Sequence, residues 1–201
     1  MRRRALLTPL LFLAWLGTAS QEALAFSVSY DQVIADGTQA ISSTVVMKDQ
    51  QFRIETTVIG TPTVILRNPS GIYNYLPAQG VAMRLPSMEA TQQLVPGIDD
   101  YRRHLQERNA KLLRTETVNG YLCDVYEYTD PSAAGMTTAW VWKERQFPVK
   151  LELHSAHSTT MVDITNVRFD PPISEVIFQL PVGVQIMDAD QLGAGKLLEG
   201  P

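Results

Sequence analysis

Apolar and polar side chains alternate along residues 45–86, and this pattern organises the interpretation of the whole chain. Phe52 and Ile54 alternate with charged residues, a period of two that is typical of a strand with one buried face. The turn signals Asn68-Pro69-Ser70-Gly71 and Ala78-Gln79-Gly80 then divide the segment into consecutive strands. The pattern predicts an antiparallel meander with one apolar face.

Similar strand patterns occur on both sides of the meander, so the chain is predicted to be mostly antiparallel β. Asn119-Gly120 is the strongest hairpin signal, because both residues tolerate the positive φ angles of a type I′ turn. About ten or eleven strands are expected. They cover residues 26–34, 41–47, 52–58, 64–66, 72–76, 81–85, 113–118, 121–129, 137–143, 147–153 and 161–169, and residues 176–180 lead to the closing segment at 178–183.

Residues 88–109 break the β pattern and predict the only helices of the mature chain. A short helix is expected over residues 88–94 and a second over about residues 99–109, where Tyr101 and Leu105 fall on one stripe. A sheet with one apolar face needs a cover over that face, and this helical segment is the only candidate in the sequence. The fold class predicted is therefore α+β, mostly antiparallel β, with a lid-sized helical insertion.

The N-terminal residues have the pattern of a secretion signal. Three arginines precede an apolar run from Ala5 to Leu16, and Ala23-Leu24-Ala25 matches the small-x-small cleavage pattern. A bilayer span needs about 20 apolar residues, and this run is shorter. We predict a signal peptide over residues 1–25 and export to the periplasm, with an uncleaved membrane anchor as the alternative.

Charge and length limit the function classes. Loss of three arginines and one glutamate with the signal lowers the formal net charge from −4 to −6, which argues against a nucleic-acid partner. The remaining chain suits a single domain over residues 26–188 and a monomer, followed by a loose tail over residues 189–201. Cys123 is the only cysteine, so it is expected to be a small buried side chain rather than half of an intramolecular disulfide.

Signatures of catalysis or of metal binding are weak. His154 and His157 have a spacing that suits chelation on a turn, but no cysteine or carboxylate adjoins them, which favours histidines of a surface loop. The sequence contains no phosphate loop, dinucleotide fingerprint or nucleophile elbow. It predicts no catalytic residue, no cofactor and no metal.

Four motifs in a fixed order resemble a known family. They are Ile72-Tyr73-Asn74-Tyr75-Leu76-Pro77, Glu116-Thr117-Val118-Asn119-Gly120-Tyr121, a Trp-bearing strand followed by Phe147-Pro148-Val149-Lys150, and the closing Phe178-Gln179-Leu180-Pro181-Val182-Gly183. Together they resemble the periplasmic outer-membrane lipoprotein-sorting, or LolA-like, superfamily. This group includes lipoprotein carriers, their receptor and a lipid-sensing regulator of an anti-sigma factor. The resemblance implies an incomplete barrel covered by helices, with a hollow apolar interior that holds acyl chains.

Candidate ligand contacts follow from this picture and from the aromatic strand positions, although core packing is the usual role of such residues. By alignment Lys48 occupies the place of the carrier's basic Arg and Asp49 that of the following Pro. Lysine keeps the charge but lacks the planar guanidinium fork, and the receptor's lipid-modified cysteine is absent. The predicted cavity walls are Phe52, Ile54, Tyr73, Tyr75, Trp140 and Trp142.

Two main functions remain open on the sequence. The first is a non-catalytic periplasmic carrier or binding protein for an acyl chain, lipoprotein or other amphiphile, held between the sheet and the helical lid. The alternative is an envelope sensor or protein-interaction module of the sigma-factor-regulator type, with an envelope protein as partner. An enzyme on this scaffold is a third and less favoured interpretation, because the sequence shows no converging polar cluster.

Overall fold

Twelve strands make up most of the computed structural model, which describes residues 26–86, 101–130, 135–156 and 158–188. The one α-helix within these ranges, α1, is Tyr101–Glu107, and two short 3-10 helices are Pro77–Gln79 and Glu175–Phe178. The strands are β1 Ser27–Ala35, β2 Ala40–Lys48, β3 Gln51–Val58, β4 Thr61–Asn68, β5 Gly71–Leu76, β6 Val81–Leu85, β7 Lys111–Val118, β8 Tyr121–Asp130, β9 Gly135–Trp142, β10 Phe147–His154, β11 Thr159–Phe169 and β12 Gln185–Asp188.

All twelve strands form one open sheet in the order β12-β6-β5-β4-β3-β2-β1-β11-β10-β9-β8-β7. The two halves of the chain join where β1 pairs with both β2 and β11. Every pairing is antiparallel except that of β12 with β6, which is parallel. The predicted mostly antiparallel and unclosed sheet is therefore confirmed.

The end of the chain departs from the prediction. The 3-10 helix Glu175–Phe178 leads into the closing segment, and β12 follows as a strand that was not predicted. The sheet thus has twelve strands rather than ten or eleven. β12 is only four residues long, and its side chains are exposed or half-buried, so local sequence carries little signal. β12 is recognised as a strand only through its parallel pairing with β6.

Two hairpin turns contain a residue in the left-handed region followed by glycine. Asn119 has φ 52° and Gly120 φ 82°, which confirms the predicted turn. Ile59 has φ 48° before Gly60 at 76°. Asparagine tolerates this region, whereas a β-branched side chain there is a conformational outlier. Seven non-glycine residues of the described chain have positive φ, and Ile59 is the only one that is not Asn, Asp or Gln.

Cross-strand register divides the sheet into two faces. Val28, Met47 and Phe52 are direct neighbours on β1, β2 and β3, and we call their side the inner face. Strand alternation puts Ser29 and Arg53 on the opposite side, the outer face. Most of the larger hydrophobic cluster lies on the inner face, which also carries the next row of neighbours, Tyr30, Val45 and Ile54.

Helix α1 packs on the larger cluster, as part of the predicted helical segment. Tyr101 and Leu105 are buried, and the Tyr101 hydroxyl lies 3.0 Å from that of Tyr128 on β8. The first predicted helix, residues 88–94, lies outside the described residues, so a two-helix lid stays a prediction. No helix within the described ranges is long and apolar enough to cross a lipid bilayer.

A C-terminal segment, residues 171–188, crosses the outer face and ends as β12; we call it the strap. Phe178 within it has no exposed surface, and the backbone N–H of Gln185 donates to the Gly80 carbonyl at 3.0 Å. Leu180 and Val184 pack on a second hydrophobic cluster. The strap therefore supplies an apolar cover for β4, β5 and β6.

Candidate functional site

The six residues predicted to line a cavity do not share one face of the sheet. Phe52 and Ile54 lie on the inner face, where both are buried in the larger cluster. Tyr73 pairs with Leu66, and Tyr75 with Val64, on the outer face. These two tyrosines belong to the second cluster beneath the strap. Contact with a ligand stays a prediction for all four aromatic and aliphatic candidates.

Trp140 lies on the outer face, because its cross-strand partner is Lys150. Its indole N–H donates to Glu116 Oε1 at 2.5 Å, and Lys150 Nζ lies 4.6 Å from the ring centroid. Hydrogen bonds from Arg114 and Trp140 hold the pKa of Glu116 at about 2. These contacts link Trp140, which is buried in the larger cluster, to β7 and β10, and its contact with a ligand stays a prediction.

Trp142 lies near the end of β9, away from Phe52 and Ile54 in the strand order. Its ring centroid is 4.5 Å from that of Tyr121 and 5.8 Å from that of Phe169. Such separations are typical of aromatic packing. The structure therefore gathers the predicted aromatic residues into several separate contacts rather than into one wall.

Lys48, predicted from the resemblance to match the carrier family's basic residue, fixes the strap to the sheet. Its ammonium forms an ion pair with Glu175 and lies 3.5 Å from the Ile173 carbonyl oxygen. Gln51 Nε2 donates to the other Glu175 oxygen at 2.5 Å. Hydrogen bonds from Lys48 and Gln51 lower the pKa of Glu175. The sequence showed a basic position here but not its partner, which is 127 positions further along the chain.

Further polar contacts attach the strap at Arg53 and Asn68. Arg53 Nη1 donates to the Ile177 carbonyl oxygen at 3.0 Å, and Asn68 Nδ2 donates to that of Phe178 at 3.0 Å. Outer-face side chains thus satisfy carbonyls of a segment that has little regular structure. Sequence patterns identified neither contact, because each joins residues more than 100 positions apart.

A groove of about 580 Å³ opens over the outer face beside the strap. Asp31, Thr44 and Glu55, which are direct cross-strand neighbours, form part of its lining. Arg53 joins the groove to the strap, since it also bonds to Ile177. Nine of its fourteen lining residues carry a carboxylate, guanidinium or hydroxyl group, whereas the sequence predicted an apolar cavity.

Polar groups within the inner face were not identified from the sequence. Tyr30 is 2% exposed, and its hydroxyl has no hydrogen-bond partner within the described ranges. Gln32 follows on the same face and is 1% exposed, and its cross-strand partner Ser43 is also buried. Gln32 interrupts an otherwise apolar series of alternate residues on β1. This interruption was the one sequence signal that could have revealed polar groups on the inner face.

Cys123 and the histidine pair complete the predicted chemistry. Cys123 is buried, as expected, and burial raises the pKa of its thiol. His154 contacts the Thr159 hydroxyl at 3.2 Å, while His157 lies outside the described residues. No group of three or more His, Cys, Asp or Glu side chains within the described ranges is placed to hold a metal ion.

Comparisons with known proteins match in structure only. No family model matches the chain, and no curated protein matches its sequence. An uncharacterised conserved protein from Thermus thermophilus has TM-score 0.60 and 10% identity, with 82% of this chain and 91% of that chain covered. The Pseudomonas aeruginosa MucA/MucB complex has TM-score 0.51 and 12% identity, with 81% and 58% covered. The chain thus spans less than two thirds of the length of the matched chain in that complex.

A LolA superfamily protein from Nitrosomonas europaea also matches, with TM-score 0.37 and 15% identity over 77% of this chain and 90% of that chain. Identities this low concern the fold alone, and they carry no residue roles from one protein to another. The chain is thus similar in fold to the Thermus thermophilus protein and to the matched chain of the MucA/MucB complex, and membership of the LolA-like group, which the ordered motifs indicated, stays a prediction.

Proposed function

We propose that this chain is a non-catalytic periplasmic binding protein that holds an acyl chain, as a lipid, a lipoprotein or another amphiphile, against the inner face of its sheet. One observation carries the proposal, namely a continuous apolar face on a sheet that does not close on itself. An open sheet with such a face needs a cover, and acyl chains gain about 0.8 kcal/mol for each methylene removed from water.

The neighbouring rows on β1, β2 and β3 support this use of the inner face. Val28, Val45 and Ile54 are each no more than 1% exposed, and their side chains lie on the same side of the sheet. At the β8 end, α1 packs on this face through Tyr101 and Leu105. Because these side chains are already covered within the protein, a ligand lying along the inner face would displace part of that cover and then contact aliphatic and aromatic groups over several strands.

A protein-interaction module is the second candidate, and the fold comparison favours it. MucB, whose structure was determined together with MucA, shares the fold. Here an envelope protein would be the partner, and the inner face would serve only as a core. The predicted signal over residues 1–25 supports a periplasmic location under both proposals.

Native mass spectrometry of residues 26–201, purified from an envelope fraction, tests the first proposal, with lipid extraction from the same sample. We expect an adduct of lipid mass that is lost on denaturation. Val45→Thr should reduce the adduct, because it places a hydroxyl on the inner face. Val46→Thr is the matched control, since it makes the same change on the outer face of the same strand.

A protein that carries no lipid and whose mass no fatty acid shifts would contradict the acyl-chain proposal. Equal loss of adduct in the Val45 and Val46 variants would contradict the assignment to the inner face. A stable complex with an envelope protein, retained after both substitutions, would instead support the interaction module.

A further inference from the structure

The Tyr30 hydroxyl is a buried polar group at the centre of the sheet. Tyr30 lies on β1, between β2 and β11, and is 2% exposed. Its ring packs edge to face on Phe147, with centroids 5.7 Å apart. The hydroxyl oxygen has no hydrogen-bond partner within the described part of the chain. Burial of a hydroxyl normally requires a partner, because the group gives up its hydrogen bonds to water.

Three other buried tyrosines of the described chain follow the normal rule. The Tyr73 hydroxyl donates to the Ser70 carbonyl oxygen at 3.1 Å, and the hydroxyls of Tyr101 and Tyr128 lie 3.0 Å apart. A phenylalanine would fill the site of Tyr30 without burying an oxygen. The hydroxyl therefore adds nothing to packing that the ring does not already supply, and its partner is not among the described residues.

The inner face changes from apolar to polar along β1 at this position. Val28 and its neighbour Met47 lie on one side of Tyr30, and Gln32 and its neighbour Ser43 lie on the other. All of these side chains are buried. Tyr30 thus stands at the boundary between an apolar surface and a band of hydroxyl and amide groups. This arrangement matches a molecule with an apolar chain joined to a polar group.

Burial also fixes the chemical form of the phenol. It raises the pKa of Tyr30 above its ordinary value, so the hydroxyl stays protonated at neutral pH and keeps a hydrogen to donate. The complementary group is an oxygen acceptor, such as a carboxyl or ester carbonyl.

We propose that the Tyr30 hydroxyl donates a hydrogen bond to the carbonyl or carboxyl oxygen of the amphiphile held on the inner face, with the acyl chain directed toward Val28 and Met47. This inference rests on the proposed function and deepens it. The ligand class becomes acyl compounds with an oxygen acceptor next to the chain, and Tyr30 is a residue that determines specificity rather than one that the fold requires.

Binding of dodecanoic acid and of 1-bromododecane to the mature protein tests the inference, by displacement of a fluorescent naphthalene dye. Both probes carry a twelve-carbon chain, but only the acid offers oxygen acceptors. We expect Tyr30→Phe to weaken binding of dodecanoic acid about tenfold, the loss of about one hydrogen bond, and to leave binding of 1-bromododecane unchanged. The melting temperature of this variant should not fall, because the hydroxyl makes no hydrogen bond to the described part of the chain.

Tyr128→Phe is the matched control, since its hydroxyl already has a partner in Tyr101. It should lower the melting temperature without changing the ratio of the two affinities. If wild type binds both probes and Tyr30→Phe leaves that ratio unchanged, the inference is overturned while the proposed function stands. If wild type binds neither probe, both are overturned.

Discussion

The two faces of the sheet bury side chains in different ways. The inner face carries most of a cluster of 19 buried residues, to which strands from both halves of the chain contribute. The outer face has a separate cluster of five, Val64, Leu66, Tyr73, Tyr75 and Ala82, confined to β4, β5 and β6. A single segment, the strap, covers this smaller cluster. Strands from the whole sheet thus build the larger cluster, whereas the smaller cluster depends on the strap, which has little regular structure.

The two faces also differ in whether their buried polar groups have hydrogen-bond partners. On the outer face, Lys48, Arg53 and Asn68 each bond to the strap, and the Tyr73 hydroxyl has a backbone partner. On the inner face, the Tyr30 hydroxyl has none within the described ranges. A surface built only for stability satisfies its buried groups. The outer face follows this rule, whereas the Tyr30 hydroxyl on the inner face does not. This difference supports our proposal that the ligand binds at the inner face.

Phe178→Ala should have the largest effect, because it removes the fully buried ring of the strap. Loss of a buried phenylalanine costs about 3–5 kcal/mol, and urea unfolding measures the change. Val176→Ala in the same 3-10 helix is the control, since Val176 is 65% exposed and should change stability by less than about 0.5 kcal/mol. A small effect of Phe178→Ala would mean that the outer cluster does not depend on the strap.

Hydroxyl removal on each face should give effects of opposite kind. Tyr73→Phe breaks the bond to Ser70 and leaves that carbonyl with one fewer donor, so it should cost about 1 to 1.5 kcal/mol. Tyr30→Phe removes a hydroxyl without a partner in the described chain and should not destabilise the ligand-free protein. Thermal unfolding of delipidated samples checks both. A cost of Tyr30→Phe equal to that of Tyr73→Phe would remove the contrast between the faces.

Local patterns predicted the strands well, since alternation and turn residues reflect the backbone directly. Asn119-Gly120 was recognised as a turn from two residues alone, and its φ angles confirm it. Ile59-Gly60 was not singled out, because a β-branched residue is disfavoured in the left-handed region. The turn forms there because β3 and β4 pair along their whole length.

Face assignment was harder to predict than strand position. Tyr73 and Tyr75 looked like inner-face residues because the early meander was taken to have one apolar face. On β4 and β5 both faces are apolar, since Ile72 is buried on one and Tyr73 on the other. Only the strap, more than 100 residues later, explains the second apolar face. Its contacts depend on tertiary structure, and no local window of sequence contains both partners.

The hairpin tip at Ile59 belongs to neither core and gives a test of local strain alone. Ile59 is 99% exposed and has φ 48°. Ile59→Asn should stabilise the protein by about 1 kcal/mol, because asparagine tolerates this conformation, and raise the melting temperature by about 2–4 °C. Asn119→Ile at the equivalent turn should have the opposite effect. If Ile59→Asn destabilises the protein, the exposed side chain has a packing partner.

The smallest effect should come from the exposed Lys48–Glu175 pair, whose pH dependence has a defined sign. Because the folded-state pKa of Glu175 is lowered, its contribution is present above the ordinary glutamate pKa of about 4.3 and is lost as pH falls through the lowered value. Glu175→Gln should therefore weaken protection of the Gln185 amide from hydrogen exchange at pH 7, and the difference from wild type should shrink as the pH falls through the lowered pKa of Glu175. Added salt should shrink the same difference, since both groups are accessible to solvent.

Glu144→Gln, at an exposed turn, is the control and should leave the protection of the Gln185 amide unaffected at every pH. An equal change in both variants would show that the strap responds to net charge rather than to Lys48, and the strap would then be held by Phe178 and its apolar neighbours alone.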